Sequence, residues 1–179
     1  GLTFSQMIMH LKYFNGTKRR FNLVGEVQGV KIFDDYGHHP TEIAATLAAA
    51  RAGFKEAHII CIFQPHRYSR TMFLAHEFAA CFKDADEVIL TDIFAAHEDP
   101  LPGVSTESIN RLMKDKPPVY IPKKEEISQY VSSRVKAGDL VITMGAGDIY
   151  TVAKEILHRL TQRKAEPALS VANTKKRFA

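Results

Sequence analysis

Residues 30–42 read VKIFDDYGHHPTE, and this stretch sets how we interpret the rest of the chain. The mostly apolar run 30–33 is typical of a buried strand, whereas Pro40 suits the first turn of a helix, where its missing N–H costs nothing. Between them, residues 34–39 supply two carboxylates, an aromatic ring and two imidazoles. In open α/β sheets ligands bind beyond the carboxyl ends of the strands. The stretch therefore predicts a polar ligand site at a strand end.

Short apolar runs continue to alternate with amphipathic segments on the carboxyl-terminal side of this stretch. We expect further strands over 57–63, 87–91, 118–122 and 139–144, and helices over 41–51, 70–82, 105–114, 123–136 and 149–160. Strands rich in Val, Ile and Leu that alternate with helices favour a parallel sheet covered on both faces. Two runs, 20–24 and 27–33, separated by Gly25, resemble a hairpin. The prediction is a Rossmann-like, doubly wound α/β fold, mostly parallel, with an antiparallel N-terminal hairpin strand.

We divide the chain into three parts. Residues 16–163 form the predicted α/β domain, and residues 164–179 are expected to be a flexible tail with a basic triplet near its end. Residues 1–15 predict a helix that would be the end of a preceding domain. Its cap would be Thr3, and apolar residues recur at helical spacing at Leu2, Phe4, Met7, Ile8 and Leu11.

Composition limits the possible classes of function. The chain has 179 residues and a formal net charge of +4, which suits an anionic ligand but does not require nucleic acid. No apolar run is long enough to span a bilayer and no signal peptide is evident, so we expect a cytoplasmic protein that binds neither membrane nor nucleic acid. Cys61 and Cys81 lie in apolar surroundings and predict buried free thiols.

Three interpretations of residues 34–39 remain open from residue types alone. In a nucleotide site, a carboxylate at the strand end would accept the ribose hydroxyls and the ring would pack on the base. In a metal site, His38 and His39 would be ligands, although adjacent side chains rarely converge on one ion. In a purely structural turn, Asp35 and Thr41 would cap the next helix.

A second polar segment, FQPHRYSRT at residues 63–71, also follows a predicted strand and precedes a helix. Its Arg67 and Arg70 are three residues apart, so both guanidinium groups could point at one carboxylate or phosphate. The alternative is a pair of surface arginines that contribute little. Because both segments follow strands, we expect Asp35 and Arg70 to protrude side by side from one edge of the sheet into a shared cleft.

Two smaller motifs complete the candidate site. The basic triplet 18–20 precedes the first strand, and one of its arginines is a candidate to reach a bound triphosphate. The sequence GAGD at 145–148 lacks the third glycine of a dinucleotide fingerprint, because the required position is Tyr150. A close-packed turn, with Asp148 capping the last helix, explains it adequately. The phosphate-binding pattern G-x-x-x-x-G-K-[ST] is absent.

The order of these motifs resembles the carboxyl-terminal domain of the Mur ligases over about residues 10–160. An arginine before Phe, then DDYGHHPTE, FQPHRYSRT and GAGD, carries the resemblance. The long strings look most like the branch that joins L-alanine to UDP-N-acetylmuramate. The ligase that recycles tripeptide onto muramic acid ranks second, because it has a different string in place of FQPHRYSRT.

The resemblance implies an ATP-dependent carbon–nitrogen ligase with three domains, of which this chain would hold the last. In that family ATP phosphorylates the substrate carboxylate, and the amine attacks the acyl phosphate. The ligands would be L-alanine, UDP-N-acetylmuramate, ATP and Mg²⁺. The metal would be held mainly by the missing central domain, so no metal ligand is assigned here. The leading helix would be the last of that central domain, and the isolated chain would be inactive.

The resemblance also implies roles for individual residues. At the ATP, Arg20 would lie near the phosphates, Asp35 on the ribose, and Tyr36 and His38 by the adenine pocket. At the incoming alanine, the carboxylate would be held by His66, Arg67 and Arg70. The candidate catalytic residues are Arg20 and His66.

Two competing hypotheses belong to other classes. One is a stand-alone Rossmann-like module that binds a nucleotide or a partner protein. The other is a small metal-dependent hydrolase in which His38, His39 and His66 would bind zinc.

Overall fold

The computed structural model describes residue 1, residues 3–11 and residues 17–165. Its strands are β1 Asn22–Val27, β2 Val30–Asp35, β3 Ile59–Phe63, β4 Glu87–Leu90, β5 Val119–Tyr120 and β6 Leu140–Met144. Its helices are α1 Phe4–Leu11, α2 Pro40–Gly53, α3 Tyr68–Phe73, α4 Ala75–Ala80, α5 Glu107–Asn110, α6 Lys124–Ser132 and α7 Tyr150–Ala165. Nearly all of the predicted tail, residues 166–179, lies outside the described residues.

The strands form one six-stranded sheet in the order β1-β2-β6-β3-β4-β5. β1 pairs with β2 antiparallel, whereas β2, β6, β3, β4 and β5 run parallel to their neighbours. The last strand therefore lies between β2 and β3, and the carboxyl ends of these three strands are adjacent. The predicted fold class, a mostly parallel α/β sheet with an antiparallel hairpin, is confirmed.

Apolar side chains cover both faces of the sheet because successive strand residues point to opposite sides. On one face α2, α4 and α5 pack through Ile43, Leu47, Phe78 and Ile109. On the other face α6 and α7 pack through residues such as Ile127 and Ile156. The connection from β5 to β6 runs back across the sheet, opposite to the connections before it, which places α6 on the second face.

The hairpin turn differs from the prediction. Gln28 and Gly29 form it, both with positive φ, 53° and 77°, as the two-residue turn between antiparallel strands requires. Gly25 is inside β1 at a shift of register, where a Cβ would lie 2.6 Å from Leu157 Cδ2. A glycine is needed at position 25 because the backbone packs closely against α7, and not because the chain turns there.

Two predicted helices are shorter or broken. The segment 70–82 forms α3 and α4, which are separated at Leu74, a residue with φ of −115° that no Gly or Pro marks in the sequence. The segment 105–114 retains only the short α5.

Some of the predicted helix caps and buried residues are confirmed, and others are wrong. Thr3 caps α1, since its hydroxyl accepts the Gln6 N–H at 3.3 Å. The cap of α2 is His39, with Glu42 completing a capping box, and not Asp35 or Thr41. Both cysteines are buried free thiols. No helix in the described part of the chain is both long and apolar enough to cross a membrane.

Candidate functional site

The two polar segments meet at the carboxyl edge of the sheet. His38 follows β2 and His66 follows β3, and their ring centroids are 5.7 Å apart. The contact arises because β6 holds β2 and β3 in register on either side of it. The predicted shared edge is confirmed.

Asp35 does not protrude from this edge, so that expectation is wrong. Asp35 is only 3% exposed, and both of its carboxylate oxygens accept hydrogen bonds from backbone N–H groups. Oδ2 accepts from Phe21 at 2.7 Å and Oδ1 from Gly37 at 2.6 Å. The turns on either side of the hairpin leave these amides without backbone acceptors, and buried N–H groups need a partner. Asp35 thus orders the segments that carry Arg20 and Tyr36.

The adjacent arginines of the basic triplet have different environments. Arg19 points inward: its Nε donates to Asp34 Oδ2 at 2.8 Å and its Nη2 to the Gly145 carbonyl at 2.7 Å. The guanidinium also lies over the rings of Tyr36 and Tyr150, at 5.0 and 4.8 Å. Sequence reasoning missed this role because the triplet reads as one solvated patch.

Arg20 and Tyr36 present the accessible groups beside β2. The Arg20 side chain is half exposed and only 3.5 Å from Glu42 Oε1, while its guanidinium is 5.7 Å from the Tyr36 ring. Tyr36 is 37% exposed and meets the His38 ring edge-on. An available cation next to an exposed aromatic ring can bind a phosphate and a flat base.

His66 is a neutral imidazole whose proton position is set by its neighbours. Burial first, and then the nearby Arg70 guanidinium, lower its pKa to about 4. Arg70 Nη1 lies 3.2 Å from His66 Nδ1 and can only donate. Nδ1 is therefore the acceptor and Nε2 carries the proton. The ring stacks on Phe94, with centroids 5.6 Å apart.

Arg67 completes the second group. Its side chain is exposed, and no ion pair to its guanidinium is recorded in the part of the chain that the structure describes. Arg70 belongs to the same helix turn and also donates to the His66 carbonyl at 3.2 Å. The structure therefore bonds Arg70 to His66 and places Arg67 beside them in sequence, close enough for its charge to help lower the pKa of His66.

The GAGD turn is close-packed, as predicted. A Cβ on Gly147 would lie 2.4 Å from Gln64 Oε1 and 2.7 Å from Phe94 Cγ. Asp148, however, is not the expected side-chain cap of α7. It accepts from Gln64 Nε2 at 3.1 Å and pairs with Lys124. Burial acts against ionisation here, but hydrogen bonds from Lys124 and Gln64 prevail and lower the Asp148 pKa.

The hydrolase hypothesis required three histidines to converge on zinc. Within residues 1, 3–11 and 17–165, no three His, Cys, Asp or Glu side chains are placed to hold a metal ion. His39 instead caps α2. The geometry does not support that hypothesis.

The site residues fall inside a match to a known family. Residues 19–147 match the family described as Mur ligase, glutamate ligase domain. This chain belongs to that family. The matched range covers both polar segments and the turn up to Gly147, so all residues with proposed ATP or alanine roles, from Arg20 to Arg70, lie within the Mur ligase match.

Among full-length relatives, this Mur ligase domain is similar to two proteins named UDP-N-acetylmuramate–L-alanine ligase. It is 44% identical to that of Pelotomaculum thermopropionicum, over 92% of this chain and 36% of the relative. It is 48% identical to that of Trichlorobacter lovleyi, over 82% of this chain and 33% of the relative. The chain thus spans about a third of the length of these relatives.

A solved structure supports the same placement. The crystal structure of UDP-N-acetylmuramate–alanine ligase MurC from Thermotoga maritima superposes with a TM-score of 0.72 and 26% identity. The match covers 91% of this chain and 34% of that one. The Mur ligase domain described here therefore corresponds to one portion of a larger ligase.

Proposed function

We propose that this Mur ligase domain is the amino-acid-binding part of a UDP-N-acetylmuramate–L-alanine ligase. The complete protein would be a cytoplasmic, ATP-dependent enzyme that joins L-alanine to UDP-N-acetylmuramate through an acyl phosphate during peptidoglycan precursor synthesis. The observation that carries the proposal is the meeting of His38 and His66 at 5.7 Å, because it joins a nucleotide-type cluster to an anion-binding cluster. The 44% and 48% identities to ligases of that name support the substrate.

In this proposal His66, Arg67 and Arg70 hold the carboxylate of the incoming alanine. The exposed Arg67 guanidinium supplies one charge and Arg70 the other. Neutral His66 adds a directed N–H, since Nδ1 already accepts from Arg70. Hydrogen bonds to charged groups contribute about 1.5–3 kcal/mol each. Such a cluster would fix the position of the carboxylate and hence of the amine, which is most of what this reaction needs from the domain.

Beside the end of β2, across β6 from this cluster, Arg20 contacts the ATP phosphates, and Tyr36 and His38 lie against the adenine. The exposed Arg20 cation and Tyr36 ring fit these roles. Asp35, which we expected on the ribose, is buried, and each of its carboxylate oxygens already accepts a hydrogen bond from a backbone N–H. We therefore propose that Asp35 serves the nucleotide chiefly by holding Phe21 and Gly37 in place.

Mg²⁺, which the family resemblance implies, does not fit the residues described here. No group of three potential ligands is close enough among residues 17–165 to hold it. We assign no step of the reaction to a metal bound by this domain. The contribution of the domain is binding, orientation and neutralisation of charge by arginine.

The test is phosphate release by the purified full-length protein, supplied with ATP and UDP-N-acetylmuramate, with and without L-alanine. We expect release that depends on L-alanine, and none from the isolated 179-residue chain under the same conditions. Turnover with tripeptide but not with L-alanine would instead identify the recycling ligase. Tight ATP binding by the isolated chain, with no ligation by the full-length protein, would favour the stand-alone module.

A further inference from the structure

The proposed alanine cluster is built on strained backbone. Arg67 has φ of 75° and ψ of 139°, a conformation that residues with a side chain rarely adopt. Such residues persist only where the surrounding contacts determine them, and they concentrate at functional sites. The position of the Arg67 guanidinium therefore depends on whatever holds its backbone in this conformation.

The loop that follows β4 supplies these contacts. The Arg67 N–H donates to the Phe94 carbonyl at 2.9 Å, and the Phe94 N–H donates to the Pro65 carbonyl at 2.8 Å. The Phe94 ring also stacks on His66. The segment 65–67 is thus bound edge to edge with Phe94, as an isolated parallel bridge outside the regular sheet.

Glu98 makes a second connection from the same loop. Its Oε1 accepts the Ser69 hydroxyl at 2.6 Å and its Oε2 accepts the Ser69 N–H at 3.0 Å. Ala96 and His97, just before it, have φ of 49° and 68°, so the loop is itself strained to bring Glu98 there. Ser69 lies between the two cluster arginines. Contacts on Ser69 therefore constrain Arg67 and Arg70 together.

The charge of Glu98 also argues for a positioning role. A carboxylate close to Arg67 opposes the binding of an anion, because its field offsets the field of the guanidinium. Hydrogen bonds from the Ser69 hydroxyl and N–H lower the pKa of Glu98, so it is ionised at neutral pH. We attribute the presence of a negative group next to an anion-binding cluster to the geometry that its hydrogen bonds with Ser69 enforce.

We propose that Glu98 is a positioning residue for the amino-acid-binding cluster, acting through Ser69 on Arg67 and Arg70. The inference rests on the proposed function and adds a residue that does not touch the substrate. The loop 94–98 and the segment 65–70 would act as one pre-organised unit. Without the hydrogen bonds between Ser69 and Glu98, the side chains of Arg67 and Arg70 would be free to adopt other conformations.

The test uses the full-length ligase and the variants E98A, E98Q and S69A. For E98A we expect the KM for L-alanine to rise about 10- to 100-fold, the range that losing charge-assisted hydrogen bonds gives. The KM for ATP should stay within about twofold of the wild-type value, because Arg20 and Tyr36 do not contact Ser69 or Glu98. E98Q can still accept one hydrogen bond and donate another, so it should restore most of the affinity for L-alanine.

The matched control is E155A, which removes an ionised carboxylate bonded to Arg159 on α7, away from the cluster. It should leave both KM values unchanged. S69A should give a smaller rise than E98A, and the double variant S69A/E98A should be no worse than E98A alone.

Three outcomes would overturn the inference. One is an unchanged KM for L-alanine in E98A or, if E98A does not fold, in S69A. Another is a fall in kcat and a rise in both KM values of the same size in E98A and E155A, which would indicate general damage to the protein. Finally, a wild-type protein with no L-alanine-dependent turnover would contradict the proposed function itself, a failure seen before any variant is compared.

Discussion

Arg70 Nη1 lies 3.2 Å from both Nδ1 and the carbonyl oxygen of His66, so one guanidinium nitrogen orients a ring and its backbone together. His66 lies before α3, and Arg70 in the first turn of that helix reaches back past the N-cap Arg67 to contact it. Arg70 therefore has two effects: it contributes charge to the cluster, and it keeps the His66 proton on Nε2.

The proposed function predicts that replacing Arg70 by alanine chiefly raises the KM for L-alanine in the full-length protein. The loss of one charge-assisted contact predicts an increase of about 10- to 100-fold. The pKa of His66 should also rise from about 4, because the Arg70 charge is one of its causes. Initial rates at varied L-alanine, and NMR titration of the His66 ring, measure the two effects. A KM for L-alanine equal to the wild-type value would remove Arg70 from the substrate site.

Replacing Arg20 by alanine should have the complementary effect. Its side chain is half exposed, 3.5 Å from Glu42 Oε1 and 5.7 Å from the Tyr36 ring, so its removal should change the free energy of unfolding by no more than about 0.5 kcal/mol. The KM for ATP should rise, while the KM for L-alanine stays near the wild-type value. R19A is the informative contrast: it removes three partly buried hydrogen bonds and should destabilise the domain. Equal ATP kinetics in R20A and wild type would contradict the assignment.

Asp35 to Asn should destabilise the domain by about 1–3 kcal/mol. The amide keeps one acceptor oxygen but turns an NH₂ group towards a backbone donor, which leaves the N–H of Phe21 or Gly37 unpaired. Urea unfolding of D35N measures the loss. The exposed Asp99 offers the control, since D99N should change stability by no more than about 0.5 kcal/mol. Similar unfolding midpoints for the two variants would show that Asp35 is not a structural carboxylate.

Stability should rise with pH between about 4 and 6.5 because of His66. Its pKa is lowered in the folded state, so the unfolded chain binds more protons in this window and protonation favours unfolding. The contribution is complete above pH 6.5 and is lost as the pH falls towards 4. Carboxylates with lowered pKa values lose their contribution at lower pH, below their ordinary values; they are Glu42, Asp86, Glu98, Asp148 and Glu155.

The measurement for His66 is the melting temperature of wild type and H66N across this range. H66N carries no titrating group at this position, so its stability should depend less steeply on pH between 6.5 and 4.5. Parallel curves for the two proteins would show that His66 ionises equally well in the folded and unfolded states.

Gly147 to Ala should destabilise the domain by about 1–3 kcal/mol, because the new methyl group meets Gln64 and Phe94 at less than 3 Å. Displacement of Phe94 should also disturb the ring stacked on His66. Gly53 is the control: nothing lies within 4 Å of its Cβ position at the end of α2, so G53A should be neutral or stabilising by up to about 1 kcal/mol. Chemical denaturation of both variants compares them, and equal stability would mean that the turn tolerates a side chain.

The sheet and the polar segments at its carboxyl edge could be predicted from the sequence because the patterns that indicate them are local and strong. β2 and β3 are short apolar runs that end in polar clusters, and parallel strands place such ends on one edge. The break at Leu74 was not predictable in the same way, since no Gly or Pro marks it and it arises where Leu74 packs against the core. The extra length predicted for α5 fails for a similar reason, because propensity is a weak guide where tertiary packing decides.

The roles of Arg19 and Glu98 depend on backbone conformations that residue types do not reveal. Arg19 and Phe21 have φ of 58° and 44°, which turns Arg19 towards Asp34 while Arg20 faces out. Glu98 reaches Ser69 only through the left-handed residues Ala96 and His97. Positive φ at residues other than glycine or asparagine is not encoded in any local pattern. The expectation that Asp35 protrudes overlooked the same turns, whose backbone N–H groups bond to both of its oxygens.

The order of the sheet has a consequence for biosynthesis. β6, the last of the six described strands to leave the ribosome, is the one that joins β2 to β3. A nascent chain that has emerged only through α6 holds the Tyr36 and His66 segments on two pieces of sheet with no shared strand between them. Ligand contacts cannot select or stabilise the native arrangement until residues 140–144 have been inserted. Messages truncated before that point would yield products with exposed strand edges, which are targets for chaperones and proteases.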